Sequence, residues 1–255
     1  MTSSKSVIIC QQWGGLGDNL QYSTLPELFS KNGYDVYIHS NNASRDTEIN
    51  DLVWGTNPYI KGISNQEPNA GECKNIYWPP DEQNEFFIHR IEISHGFEKT
   101  NFYPKIYYTP KYLTEYNNYI LIDLTGTSQV FELNKYIEYI DYFTPLIDTN
   151  KNIKIITREN FQVKPIFIDV YNYLKIKIPN IEYLKVNTLI DYCDVIKSCD
   201  TFIVCNSGIS SLSSAIKQDE SKPNILCYYF FSHYSKELMK GCHFFKNIEY
   251  FQSKI

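Results

Sequence analysis

Short apolar runs alternate along this chain with longer segments whose apolar residues recur every three or four positions. Residues 6–10 (SVIIC) read as a buried strand. From Asp18 the spacing becomes helical: Leu20, Thr24, Leu25, Leu28 and Phe29 share one face, and Gly33 closes the run. Pro26 lies inside it, removes a ladder hydrogen bond, and predicts a kink or a break into two helices. Residues 35–39 (DVYIH) read as a second strand, which makes a right-handed βαβ unit. Residues 64–82 are rich in turn formers and predict a surface loop, and EFFIHRIEISHGF predicts a helix.

The second half repeats this alternation. YILIDLT predicts a strand and TGTSQ a small-residue turn, followed by a helix over FELNKYIEYIDYF with apolar positions 133, 136, 137, 140 and 143. NIKIIT predicts a strand, IFIDVYNYLKIK and TLIDYCDVIKS two helices, and TFIVC a further strand. NSGISSLSSAIK is a turn opening a helix, and NILCYY a final buried strand. Such alternation predicts α/β architecture, with parallel sheets covered by helices on both faces. Pro104, Pro110 and the tyrosine-rich segment around them read as a connection. The expected domains are residues 1–115 and 116–255, with no shorter repeat.

Composition narrows the classes. A chain of 255 residues with net charge −5 and 43% hydrophobic residues is an ordered globular protein without the basic footprint of a nucleic-acid partner. Seven cysteines lack any CxxC spacing. Cys193, Cys199 and Cys205 suit neither a zinc ribbon nor a redox motif, so reduced thiols are expected. The apolar run near the N-terminus is too short for a signal peptide, and no segment reaches the ~18 apolar residues of a membrane span. These features predict a cytoplasmic protein and leave peripheral membrane contact open. No DxD metal motif ends a strand, and no metal or other cofactor is expected.

Two stretches carry chemistry. GGLGDN follows the first strand, yet Leu20 stands where a dinucleotide fingerprint requires glycine. His39 and Ser40 end the second strand in place of a ribose-binding acid, and no Lys-Ser/Thr pair makes a P-loop. Asp18 reads either as a catalytic carboxylate or as the head of a capping box with Gln21, worth about 1 kcal/mol. The two roles conflict, because a carboxylate bonded to backbone N–H groups becomes a weaker base. The second stretch, NSG, begins a helix at a strand's carboxyl end, where ligands of open α/β sheets gather. Its N–H groups, Gly208 and the hydroxyls of Ser207, Ser210 and Ser211 suit a diphosphate. Asn206 or Ser207 as a plain helix cap is the other reading.

GGLGDNLQYSTLPELF and LIDYCDVIKSCDTFIVCNSGISSLSSAI, in this order, resemble glycosyltransferase family 9, the heptosyltransferase-like enzymes of GT-B fold. WGTNPYIKGI and FYPKIYYT extend the resemblance along most of the chain. Asn206 and Ser211 depart from it, standing where the family has Asp and His. The resemblance implies two Rossmann-like domains facing across a cleft, and a hexosyl- or heptosyltransferase acting with inversion and without metal. Its donor is a nucleotide-sugar, and its acceptor a glycan on a lipid, a protein or the cell surface. Asp18 matches the catalytic carboxylate, with Gly15, Gly17, Asn19 and Arg90 on the acceptor side. Thr125, Gly126, Thr127 and Ser128 match the phosphate loop, and Asn206, Ser207 and Gly208 the diphosphate-binding helix start.

The family's phosphate-loop lysine has no match, since Lys135 lies too far along its helix. Arg158 is the substitute candidate, with Glu159 as a ribose contact, and a solvated loop charge is the other reading for each. His89 and His95 flank Arg90 on its helix as structural or acceptor-side histidines. A catalytically inactive nucleotide-sugar or carbohydrate-binding protein of the same fold is the alternative function.

Overall fold

The computed structural model describes residues 5–76, 86–125, 132–158, 164–218, 222–229 and 245–252. The chain forms two compact units that divide between Thr109 and Pro110, with Phe245 and Lys246 joining the first and the chain from Asn247 joining the second. The division precedes residue 115 for a local reason. The backbone N–H groups of Lys111 and Leu113 already donate to Asp194 Oδ1 at 2.9 Å and Ser198 Oγ at 2.7 Å in the second unit.

In the first unit β1 (Lys5–Cys10), β2 (Tyr34–His39), β3 (Ile60–Ser64) and β4 (Ala70–Gly71) form a parallel sheet in the order β3-β2-β1-β4. The helical run after β1 is two helices, α1 (Leu16–Gln21) and α2 (Leu25–Lys31). Pro26 sits in the first turn of α2, where its missing N–H has no intrahelical partner to lose. Gly33 follows α2 with φ +81°, a conformation that favours glycine. A short helix α3 (Thr47–Asn50) continues into a π-helical turn (Asp51–Gly55), and α4 (Phe87–Ser94) packs on α1. The expected loop at 64–82 contains β4, which is too short to carry a hydrophobic period.

In the second unit β5 (Tyr119–Asp123), β6 (Asn152–Arg158), β7 (Glu182–Val186), β8 (Thr201–Cys205), β9 (Asn224–Tyr229) and β10 (Glu249–Gln252) make a parallel sheet. Its order, β10-β9-β8-β5-β6-β7, is that of a doubly wound dinucleotide-type fold. The helices are α5 (Leu133–Phe143), α6 (Pro165–Lys177), α7 (Leu189–Ser198) and α8 (Gly208–Lys217).

The core of this unit joins Tyr136, Ile140 and Phe143 of α5 to Phe167, Tyr171 and Leu174 of α6. Tyr139 is buried where the helical period pointed to Ile137, because its hydroxyl donates to the carbonyls of Val204 at 3.3 Å and Leu226 at 2.9 Å. Strands β7 and β10 were not expected, and NILCYY is not the last strand. Both lie at sheet edges, where Glu182, Tyr183 and Lys185 of β7 face solvent and interrupt the apolar pattern.

Candidate functional site

Chain order in each sheet reverses at one point, and the loops there bear the candidate residues. In the first unit that point lies between β1 and β4. Gln11, fully buried, donates its N–H to Asn42 Oδ1 at 2.8 Å and its side-chain amide to the Trp13 carbonyl, while its own carbonyl accepts from Ala43 N–H at 2.8 Å. Gln12 N–H donates to Glu72 Oε2 at 2.5 Å, tying the loop to the turn after β4. That turn needs glycine: Gly71 has φ +88°, and a Cβ there would stand 2.3 Å from the Cys10 carbonyl oxygen.

Asp18 is the third residue of α1, not its cap. Gly15 occupies the N-cap position, and the Asp18 carboxylate reaches back to accept from the Gly15 N–H. The expected Asp18–Gln21 capping box therefore does not form. Burial pushes the Asp18 carboxyl above its ordinary value, against the opposing pull of Arg45 and the Gly15 N–H. Both demands meet at this residue: the carboxylate satisfies the Gly15 N–H, and desolvation acts on its ionisation in the opposite sense to that bond.

The two adjacent glycines do not clear an empty space. A Cβ on Gly15 would lie 2.4 Å from Asp18 Oδ2, and one on Gly14 would lie 3.1 Å from Arg45 N. Gly17 is buried within α1. Asn19 departs from the acceptor-side expectation, being 0% exposed. Its amide donates to the Gly15 carbonyl at 2.9 Å, and its oxygen accepts from the Trp54 indole N–H at 2.7 Å. Arg90, also expected on the acceptor side, is buried on α4.

The two histidines of this region make different contacts. His89 meets the rings of Phe86 and Phe102 edge to face. His95 Nε2 accepts from Gly71 N–H at 2.8 Å, which puts the proton on Nδ1, 2.6 Å from the Ile91 carbonyl. Burial lowers the His95 pKa and keeps that acceptor neutral.

In the second unit the reversal lies between β5 and β8, so the ends of these strands bring Thr125 and Asn206 to the same edge of the sheet. Gly126, Thr127, Ser128 and Glu159 lie outside the described residues. Thr125 has both donors engaged by Asp123: its N–H at 2.8 Å and its hydroxyl at 2.5 Å from Oδ1. That argues against Thr125 donating to a phosphate. Asp123 is 4% exposed, and its other oxygen accepts from the Tyr192 hydroxyl at 2.5 Å. Burial raises its pKa, and these hydrogen bonds hold it down.

At the start of α8, Ser207 is the cap, with its side chain accepting from Ile209 N–H at 3.3 Å. Ser210, fully buried, accepts from the Ser207 N–H at 3.1 Å and donates to the Ser207 carbonyl at 2.7 Å. Its hydroxyl thus completes a capping box instead of facing a ligand. Asn206 Oδ1 is shielded from solvent without a partner among the described residues, and Gly208 is part-exposed at the first helical position. Arg158 ends β6, part-buried.

Arg45 and Glu72 were missed in the sequence, since nothing in SNNASRDTE or AGECK marks them; strand pairing alone carries both to Asp18. Among the described residues no helix is long and apolar enough to cross a membrane, and no three His, Cys, Asp or Glu side chains group as metal ligands. Cys10, Cys73, Cys193, Cys199, Cys205 and Cys227 are free thiols.

No protein-family model and no curated protein sequence matches the chain. Solved structures do. The heptosyltransferase WaaC of E. coli with ADP superimposes with TM-score 0.60 at 10% identity, over 98% of this chain and 93% of that one. A family 9 glycosyl transferase from Veillonella parvula gives 0.57 at 10%, over 98% and 85%. The iron-containing dodecameric glycosyltransferase TibC of enterotoxigenic E. coli gives 0.56 at 14%, over 91% and 61%. The chain has the GT-B fold of the heptosyltransferase-like family 9 enzymes.

Proposed function

We propose that the protein is a glycosyltransferase that moves a sugar from a nucleotide-sugar donor to an acceptor hydroxyl on a surface glycan or glycoconjugate. The observation that carries this reading is Asp18: a half-buried carboxylate of raised pKa, at a switch point of a fold whose neighbours include heptosyltransferases. A base so tuned takes the acceptor proton as the acceptor oxygen bonds to the sugar's anomeric carbon. The bond from that carbon to phosphate breaks, and the nucleoside diphosphate departs with the electron pair. Attack from the face opposite the leaving group inverts the anomeric centre.

The reading assigns the acceptor to the first unit and the donor to the second. There the positive dipole end of α8, with the part-exposed Gly208 at its first position, suits the diphosphate without a metal ion, while the Ser207 and Ile209 N–H groups are taken up by the capping box. A neighbouring structure holds ADP and another ADP-D-β-D-heptose, so ADP-sugars lead the candidate donors, ahead of GDP- and UDP-sugars. The test is release of nucleoside diphosphate by purified protein given each donor with candidate acceptors. Asp18→Ala is expected to reduce release by at least about 10²-fold while donor binding persists. Wild type that binds a donor but transfers it to no acceptor would favour a catalytically inactive binding protein.

A further inference from the structure

Two adjacent glycines are filled from outside by two side chains of opposite charge. A Cβ on Gly15 would lie 2.4 Å from Asp18 Oδ2 and 3.9 Å from Arg45 Cζ, so carboxylate and guanidinium border one small space. A Cβ on Gly14 would lie 3.1 Å from Arg45 N and 3.2 Å from Arg45 Cγ, so the arginine stem lies along the loop. Several bonds hold the arginine there. Arg45 N–H donates to the Gly14 carbonyl at 2.8 Å, the Ser44 hydroxyl donates to the Asp46 carbonyl at 2.6 Å, and Asp46 caps α3 by accepting from Ile49 N–H at 2.9 Å.

Building on the glycosyltransferase reading, we propose that Arg45 is a positioning residue for Asp18. Its guanidinium holds the carboxylate charged and in place for the acceptor hydroxyl without touching the reacting atoms. An opposite charge within about 4–6 Å favours the ionised form of a carboxylate that burial would otherwise neutralise. Glu72, on the turn after β4, acts on Asp18 in the opposite sense. Helix α4, packed on α1, carries His89, Arg90 and Glu92. Glu92 is occupied by Thr100 N–H at 2.8 Å and by the Asn101 side-chain amide at 2.5 Å. Arg45 itself is exposed, so its pull on Asp18 is screened by salt.

The test is a carboxyl-carbon NMR titration of the ligand-free protein, with the Asp18 signal identified by its loss in Asp18→Asn. Arg45→Gln is expected to raise the Asp18 midpoint by about 1 pH unit, and Arg45→Lys to restore most of that shift. The acid limb of the kcat/KM profile should move with it at unchanged donor KM. In wild type, ~1 M salt should also raise the midpoint, which keeps the proposal testable should Arg45→Gln not fold. An unmoved midpoint in folded Arg45→Gln, or in wild type at high salt, overturns the role of Arg45. Because the titration needs no substrate, that result leaves the enzyme reading standing. Absence of sugar transfer by wild type overturns the enzyme reading instead.

Discussion

Asp18 concentrates the competing demands on this chain at one residue. As the third residue of α1 it satisfies the Gly15 N–H, and as a desolvated carboxylate it resists ionisation. A group whose folded-state pKa is raised contributes stability at pH below its unfolded value, near 3.8, and loses it as pH rises through the higher folded value. At neutral pH the ionised carboxylate is therefore a destabilising feature. Asp18→Asn should raise the urea midpoint at pH 7 while abolishing the proposed transfer, and the gain should disappear as pH falls towards 3. A lower midpoint at pH 7 would show that the backbone hydrogen bonds outweigh burial. Stability sacrificed at a site is what a functional carboxylate leads one to expect, and a mere cap would behave in the opposite way.

At the scale of elements, the loop between β1 and α1 is only as ordered as the two-residue strand beside it. Strand β4 pairs Ala70 with Ile9 and Gly71 with Cys10, and His95 of the α4 C-cap secures it by accepting the Gly71 N–H. Protonating His95 Nε2 abolishes that acceptor. Its depressed pKa means that this stabilisation is present above pH ~6.5 and is lost as pH falls through the lower folded value. His95→Gln, which keeps an acceptor and does not titrate, should flatten the pH dependence of thermal unfolding below pH 6.5. Gly71→Ala should destabilise by more than ~1 kcal/mol, because it combines positive φ with a collision against backbone. Denaturant melts at several pH values read both effects. Neither residue was legible beforehand, since His95 carried the bare pattern of a lone histidine and Gly71 lay in a stretch that read as loop.

At the scale of the whole molecule, each unit has its own parallel sheet and its own reversal of strand order. Within the first unit, Glu27 of α2 ties the helix to the segment before the division, with Lys105, Lys31 and the Tyr107 hydroxyl all donating to it. Burial pushes Glu27 up, but these donors more than offset it and bring its pKa to about 2. The contribution is complete above the ordinary value of about 4.5 and is lost as pH falls towards 2. Glu27→Gln should lower the melting temperature at pH 7 and shrink the acid-induced fall between pH 4.5 and 2. An unchanged acid limb in the variant would remove Glu27 from the account of acid stability.

The sequence alone determined what depends on local spacing. Strand β1, the split helix with its proline at the start of α2, and α5 to α8 were all legible, because buried faces impose a period that neighbouring residues display. The alternation of strands and helices likewise pointed to parallel sheets, and the ordered motifs to the GT-B fold. Only the tertiary structure decided what depends on residues distant in the chain. The edge strands β7 and β10 lack a full buried period, and β4 is shorter than one. Asn19 and Ser210 look like ligand donors until Trp54 and the Ser207 backbone take up their polar atoms. Arg45 and Glu72 reach Asp18 because β2 and β4 flank β1, an adjacency that pairing creates and no local pattern records. Charge and burial act through space, so the ionisation of Asp18 belongs to the fold and not to the GGLGDN motif that carries it.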